Sequence, residues 1–337
     1  MKIVDYSNQI TKEAIINEFK GNLFEFLVAQ GLARFSHIED QFLLSLPIEF
    51  KSKLGSYEEL IRTHEPRLLE RLPSLAQATV KKILADKSFF EVEFINWNVI
   101  GKMVATNESE TWNETDIVGT TKDGVKLALS LKLTKDHSFV NTKSAGVKSF
   151  FTKYFSGFGS DISIHQKALN NEVDESFLVM GHKLYSMIDS EFHGSFNRIW
   201  SDNYTELPGE LNPEMRVIVH ENYYRVAIKL SEHLNLLKNK NSELFFDSLY
   251  ALCGFGHADI IQVNCFHQDY ELKEITIKKF DDLFFKMNKE CTILPLKEMG
   301  SSVEIVMGKM VLQIRVKPMN KFTTAAYKIN CSIKVRE

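Results

Sequence analysis

Cysteine is scarce in this chain: 337 residues carry four, Cys253, Cys265, Cys291 and Cys331, widely spaced and with no CxxC pair. That argues against a disulfide-stapled secreted scaffold and leaves reduced thiols in a cytoplasmic protein as the expectation. Cys253, His257, Cys265 and His267 fall close together, but Cys-x3-His and Cys-x-His are not the paired knuckles of a zinc site, so buried thiols and surface histidines are expected. Long apolar runs are missing too. No stretch reaches transmembrane length, and Met1 to Tyr6 lacks the layout of a signal peptide, so no membrane partner is expected. Charge of one sign is not in excess: a net charge of −3 excludes a uniformly basic coat. A nucleic-acid partner remains open, because basic residues can be concentrated in one cleft and offset elsewhere. Gly254-Phe255-Gly256 and Gly157-Phe158-Gly159 lack the Lys-Ser/Thr of a phosphate loop. His220 and His233 have no matching nucleophile. Internal repeats and low-complexity linkers are absent.

What is present is globular in composition, 44% hydrophobic and 25% charged, with enough chain for one large domain or two moderate ones. Apolar spacing predicts helix over Thr11 to Leu46 and two helices between Tyr57 and Asp86, punctuated by Pro66 and Pro73. Phe89 to Val104 reads as a strand or a strand-turn-strand, and a hairpin follows. Thr134 to Ser149 reads as a polar stretch. Helices are predicted over 148–155, 162–170, most of 177–200, 217–238 and 243–254. From Asp259 the pattern turns to β, over 260–266, 274–278, 303–307, 311–316 and 327–335. The fold class is mixed α/β (α+β), a central mixed β-sheet flanked by helices with a β-rich C-terminal part. A soft boundary near residue 160 separates residues 1–160, which hold the N-terminal helices, from a helical, then β-rich region (161–337).

The hairpin carries the chemistry. Asp116 opens its first strand, Thr121-Lys122-Asp123-Gly124 makes the turn, and the second strand runs to Lys132. Alternation sends Val125, Leu127, Leu129 and Leu131 to one face and Lys126, Ala128, Ser130 and Lys132 to the other. A carboxylate and an ammonium held together on rigid strands can bind a divalent metal and position a water nucleophile.

The order of Glu25 in Lys20-Gly21-Asn22-Leu23-Phe24-Glu25, Asp116 at a strand start and then Ser130-Leu131-Lys132 resembles the PD-(D/E)XK nuclease superfamily, type II restriction endonucleases in particular. Ile314 to Thr324 is similar to C-terminal segments of some such enzymes. The active-site resemblance covers about residues 20 to 155. It implies a restriction-endonuclease-like core, Mg²⁺ as cofactor, double-stranded DNA as substrate and a homodimer matching a palindromic target. Asp116, the Leu131 carbonyl and Glu25 would be the metal's oxygen ligands, with Asp116, Lys132, Glu25 and Ser130 as the catalytic positions. Two departures stand out: Ser130 replaces the acidic residue usual two places before the lysine, and Thr115 the proline that often precedes the aspartate.

For DNA contacts the candidates are Asn141, Lys143, Lys148 and Lys153 after the hairpin, and Arg315, Lys317, Asn320 and Lys321 in the tail. Lysines would set affinity through phosphates, while Arg315 and Asn320 could read base edges. Two other readings fit the same residues: an inactive DNA-binding or accessory subunit of this fold, and a nuclease with a repair, RNA or toxin role.

Overall fold

The computed structural model describes residues 9–86, 89, 92–100, 115–135, 140–252, 260–279, 290–308, 310–319 and 321–335. In chain order come α1 (Gln9–Phe35), α2 (Glu39–Ser45), α3 (Ile48–His64), α4 (Pro66–Leu84), β1 (Phe94–Val99), β2 (Ile117–Thr121) and β3 (Lys126–Thr134). Then follow β4 (Val140–Gly146), α5 (Phe150–Tyr154), α6 (Ile162–Ser186), α7 (Arg198–Asn203), α8 (Pro213–Lys240) and α9 (Ser242–Leu252). The chain closes with β5 (Ile260–Gln268), β6 (Glu271–Lys279), β7 (Cys291–Ile293), β8 (Ser302–Met307), β9 (Met310–Pro318) and β10 (Tyr327–Val335). The chain is thus mixed α/β. Among the described residues no helix is long and apolar enough to cross a membrane.

Rather than dividing once near residue 160, the chain forms two compact units that it enters alternately: 1–137 with 255–282, and 138–254 with 283–337. The reason lies in one strand pair. β3 and β5 are parallel neighbours, and parallel strands need a crossover between them. Here residues 138–254 fill that crossover.

The first unit is a five-stranded mixed sheet, ordered β1-β2-β3-β5-β6, with α1 to α4 packed on one face. Leu129 and Leu131 of β3 and Ile261, Val263 and Cys265 of β5 meet Leu23, Phe24 and Val28 of α1 and Leu72, Leu75 and Ile83 of α4 in one core. The apolar spacing of α4 persists through Pro73, so this proline does not separate two helices; α3 begins earlier than the sequence suggests and ends before Pro66. The turn after β2 takes the form its Asp-Gly requires, with Gly124 at φ 80° and its N–H donated to the Thr121 carbonyl at 3.0 Å.

The second unit is an antiparallel sheet, ordered β4-β10-β9-β8-β7, with α8 against β8 and β9. Asn212 caps α8, its Oδ1 accepting the Met215 N–H at 2.9 Å. β4 falls where a polar stretch was expected; it is an edge strand and lacks a long apolar alternation. The helix expected to reach Trp200 stops at Ser186, where Asp189 (φ 51°) and Gly194 (φ 87°) turn the chain left-handed. Phe192 and Phe196 mimic helical apolar spacing but instead pack in a loop against Tyr185.

Cys265, Cys291 and Cys331 are buried thiols outside any disulfide; Cys253 and His257 lie outside the described residues. His267 corrects the expectation of surface histidines, being fully buried. Its Nδ1 accepts the Tyr270 N–H at 3.3 Å, and the Tyr270 ring stacks on it. The pairing closes a two-residue β5–β6 turn with Asp269 at φ 50° and Tyr270 at φ 64°, while the Tyr270 hydroxyl donates to the Glu65 carboxylate.

Two stability measurements check this packing. A Cβ on Gly119 would sit 2.6 Å from Trp97 Cζ3 and 2.8 Å from Phe94 Cε1. Both rings are buried, so Gly119→Ala is expected to cost about 1–3 kcal/mol in urea denaturation. Burial, reinforced by Lys20 and Lys135, pushes the His267 imidazole down to about 4 from an ordinary 6.5. The unfolded chain takes up this proton below 6.5 while the fold refuses it until about 4. The contribution is therefore complete above the upper value and is lost as pH falls through that window. A His267→Phe variant should show a shallower acid limb between those pH values in a series of urea midpoints.

Candidate active site

The backbone fixes Asp116 from both sides. Its N–H donates to the Leu129 carbonyl at 2.8 Å, and its own carbonyl accepts the Ile100 N–H at 2.8 Å, so the residue is held between the end of β1 and the middle of β3. The carboxylate is then aimed by β3. Oδ2 accepts the Leu131 N–H at 2.6 Å and the Ser130 hydroxyl at 3.4 Å, and the Lys132 ammonium stands 3.4 Å away. The expected convergence of an acid and an amine from neighbouring strands is therefore present. Both side chains are partly sheltered, 18% exposed for Asp116 and 23% for Lys132.

Strand parity adds two consequences. The N–H and C=O of one residue leave a strand on the same side, and residues two apart share that side. Leu129 faces β2, so Leu131 does as well, and its carbonyl is carried on the Asp116 side beyond the first residue of β2. Ser130 and Lys132 project on the face opposite the helical core, and the parallel register sets Gln262 beside Ser130 and Asn264 beside Lys132. A polar row results. Gln262 Nε2 donates to Asn264 Oδ1 at 3.1 Å, and Asn264 Nδ2 to Thr276 Oγ1 at 3.4 Å. Gln262 is only 2% exposed, and its Oε1 is buried with no hydrogen-bond partner; the Thr115 hydroxyl is likewise unpartnered.

Sequence reasoning missed Gln262 and Asn264. The only signal was their alternation with Ile261, Val263 and Cys265, and the face they share with Lys132 emerges only from the β3–β5 pairing. Glu25 is half-buried on α1, the helix covering the other, apolar face of the sheet.

Hard oxygens suit Mg²⁺, and the cluster supplies two, Asp116 Oδ1, which takes none of the hydrogen bonds above, and the Leu131 carbonyl. Among the described residues no group of three or more His, Cys, Asp or Glu is placed to hold a metal. A divalent cation here would rest on one carboxylate and neutral oxygens.

The expected DNA contacts are scattered. Arg315 and Lys317 share the polar face of the second sheet with Lys328 and Asn330, in direct register across β9 and β10. Arg315 donates from Nε to Ser302 at 3.1 Å and from Nη2 to Gln313 at 3.2 Å. Burial, then Lys328 and Arg315, hold the Lys317 amine below the usual lysine range. Lys321 is engaged elsewhere, bound to Glu206 at 2.8 and 2.9 Å. Burial alone would raise the Glu206 carboxyl, but the Lys321 and Thr323 hydrogen bonds and the Lys321 charge together hold it below its ordinary range. Lys148 pairs with Asp174 at 2.6 Å, and Lys153 lies 5.3 Å from the Tyr154 ring centroid. Only the backbone of Asn141 and Lys143, within β4, is described, and Asn320 lies outside the described residues.

Compared with protein-family models, curated proteins and solved structures, the chain matches none.

Denaturation can separate the scaffold from the chemistry. Asp116→Ala removes the acceptor of the Leu131 N–H and should cost about 1–3 kcal/mol. Lys132→Met removes one member of a partly screened pair and should cost less than about 1 kcal/mol. A larger loss from the lysine than from the aspartate would contradict the hydrogen-bond assignment.

Proposed function

We propose that this chain is a Mg²⁺-dependent double-stranded DNA endonuclease resembling type II restriction enzymes, with α1, β1 to β3 and β5 as a restriction-endonuclease-like core. The observation that carries the reading is the Asp116 carboxylate, fixed at 2.6 Å on the Leu131 N–H with the Lys132 ammonium 3.4 Å away. In this reading Asp116 and the Leu131 carbonyl hold the metal, whereas Glu25, the further ligand the resemblance implies, sits on the helix over the opposite face. The bound ion would polarise the scissile phosphate and acidify a coordinated water. Lys132 orients that water and stabilises charge developing on the phosphoryl oxygens. The water oxygen bonds to phosphorus as the P–O3′ bond breaks, and the departing 3′ oxygen takes a proton, leaving a 5′-phosphate and a 3′-hydroxyl.

Arg315, Lys317 and Lys328 support a DNA partner in a second way. Like charges directly opposite on adjacent strands repel, and Lys317 faces Lys328 with no acidic partner among the described residues. A phosphate backbone would relieve that repulsion. Binding as a twofold dimer would match a palindromic target.

Ser130 favours a second reading, an inactive DNA-binding subunit, because it brings a hydroxyl where a second carboxylate would stand. One experiment separates the two. Plasmid and phage DNA are incubated with the chain in Mg²⁺ or EDTA, and the ends are sequenced. Discrete, metal-dependent fragments are expected, with the rate lowered about 10²–10³-fold by Lys132→Ala. Intact DNA with a gel shift would instead establish the binding subunit.

A further inference from the structure

Ser130 leaves the proposed metal site short of one oxygen ligand, and the neighbouring strand carries a side chain with an oxygen to spare. Gln262 is register partner to Ser130 across the parallel β3–β5 ladder. Paired residues point to the same face on strands about 4.8 Å apart, so Gln262 projects beside the Ser130 hydroxyl that reaches Asp116 Oδ2. Its amide is oriented by one bond, Nε2 donating to Asn264 Oδ1 at 3.1 Å, and Asn264 is held in turn by Thr276. That bond commits the nitrogen end and leaves the oxygen end without a donor. Gln262 Oε1 is buried and accepts no hydrogen bond, on a side chain only 2% exposed.

A buried carbonyl oxygen without a donor costs about 1–3 kcal/mol, so an electropositive partner at this one would be stabilising. A hard divalent cation accepts an amide oxygen as readily as a backbone carbonyl. We propose that Gln262 Oε1 is a ligand of the divalent cation, taking the coordination position that Ser130 cannot fill, with Asn264 as the positioning residue that turns the amide oxygen toward the metal. The inference rests on the metal-dependent reading above and extends it to a residue on a different strand.

The test titrates Mn²⁺, a hard ion suited to the same ligands as Mg²⁺, into the full chain and its Gln262→Leu, Gln262→Glu and Asp116→Asn variants. Free ion is followed by electron paramagnetic resonance and folding by circular dichroism. Gln262→Leu is expected to weaken Mn²⁺ binding about 10–100-fold. Gln262→Glu should tighten binding and steepen its pH dependence, because the new carboxyl must lose a proton to bind. Loss of binding in Asp116→Asn with wild-type affinity in both Gln262 variants would overturn the role of Gln262 and leave the metal reading standing. No saturable Mn²⁺ binding by the wild-type chain, or binding untouched by Asp116→Asn, would remove both. If Gln262→Leu does not fold, the glutamate variant decides alone: tighter binding supports the ligand, and unchanged or weaker binding overturns it.

Discussion

A single hydrogen bond, from the Leu131 N–H to the Asp116 carboxylate at 2.6 Å, holds the candidate site together. It joins a residue just outside β2 to the backbone of β3, so the acid is aimed by main chain rather than by another mobile side chain. Charge-assisted bonds of this kind are short and roughly twice as strong as neutral ones. The bond also settles the direction of its neighbours. With the Leu131 peptide turned toward Asp116, alternation sends Lys132 and Ser130 to the face opposite the helices, and the carbonyl of Leu131 to the side of the acid. Four chemical groups are placed by one backbone constraint.

The features visible in the sequence were those set locally. The hairpin follows from Asp123-Gly124, which supplies the left-handed φ of 80° at the turn, and from the alternation of Leu127, Leu129 and Leu131. Parity alone then puts Lys132 and Ser130 on one face. What stayed hidden depended on pairings between distant segments. Gln262 shares a face with Lys132 only once β5 lies parallel to β3, and Ile260-Ile261-Gln262-Val263-Asn264 gives no hint of that partner. The same pairing makes the two units interleave. The tail shows the contrast on its own: Arg315 and Lys317 keep the outward positions their alternation implies, whereas Lys321 is taken by Glu206, 115 residues away in sequence. The loop after α6 was misread because buried aromatics such as Phe192 and Phe196 look alike in a helix and in a folded-back loop.

Each sheet, taken by itself, divides its labour between faces. In the first, Leu129, Leu131, Ile261 and Val263 anchor the helices while Ser130, Lys132, Gln262 and Asn264 form a polar row. In the second, Ile314, Val316, Tyr327 and Ile329 are buried, and Arg315, Lys317 and Lys328 stand on the alternate positions. Burial of one face supplies the stability that lets the other carry groups unfavourable to folding: an unpartnered amide oxygen in one sheet and adjacent cations in the other. Both are unfavourable without a partner of opposite polarity, which makes them informative about what the faces meet.

Ser130 changes the electrostatics of the cluster more than its geometry. A carboxylate there would bring a second negative charge against Asp116 in a sheltered position, and two close acids cannot both ionise cheaply without a cation between them. With serine the local charges are one carboxylate and one ammonium, which balance, and the hydroxyl donates a bond where a second acid would repel. Such a cluster can fold in the absence of metal and would hold a cation with less electrostatic attraction, leaving neutral oxygens to complete the shell. The cation would then be needed for chemistry rather than for folding, and its binding would depend on how well neighbouring strands present those oxygens. That dependence would give the β3–β5 register, and Gln262 upon it, the role proposed for it beyond packing.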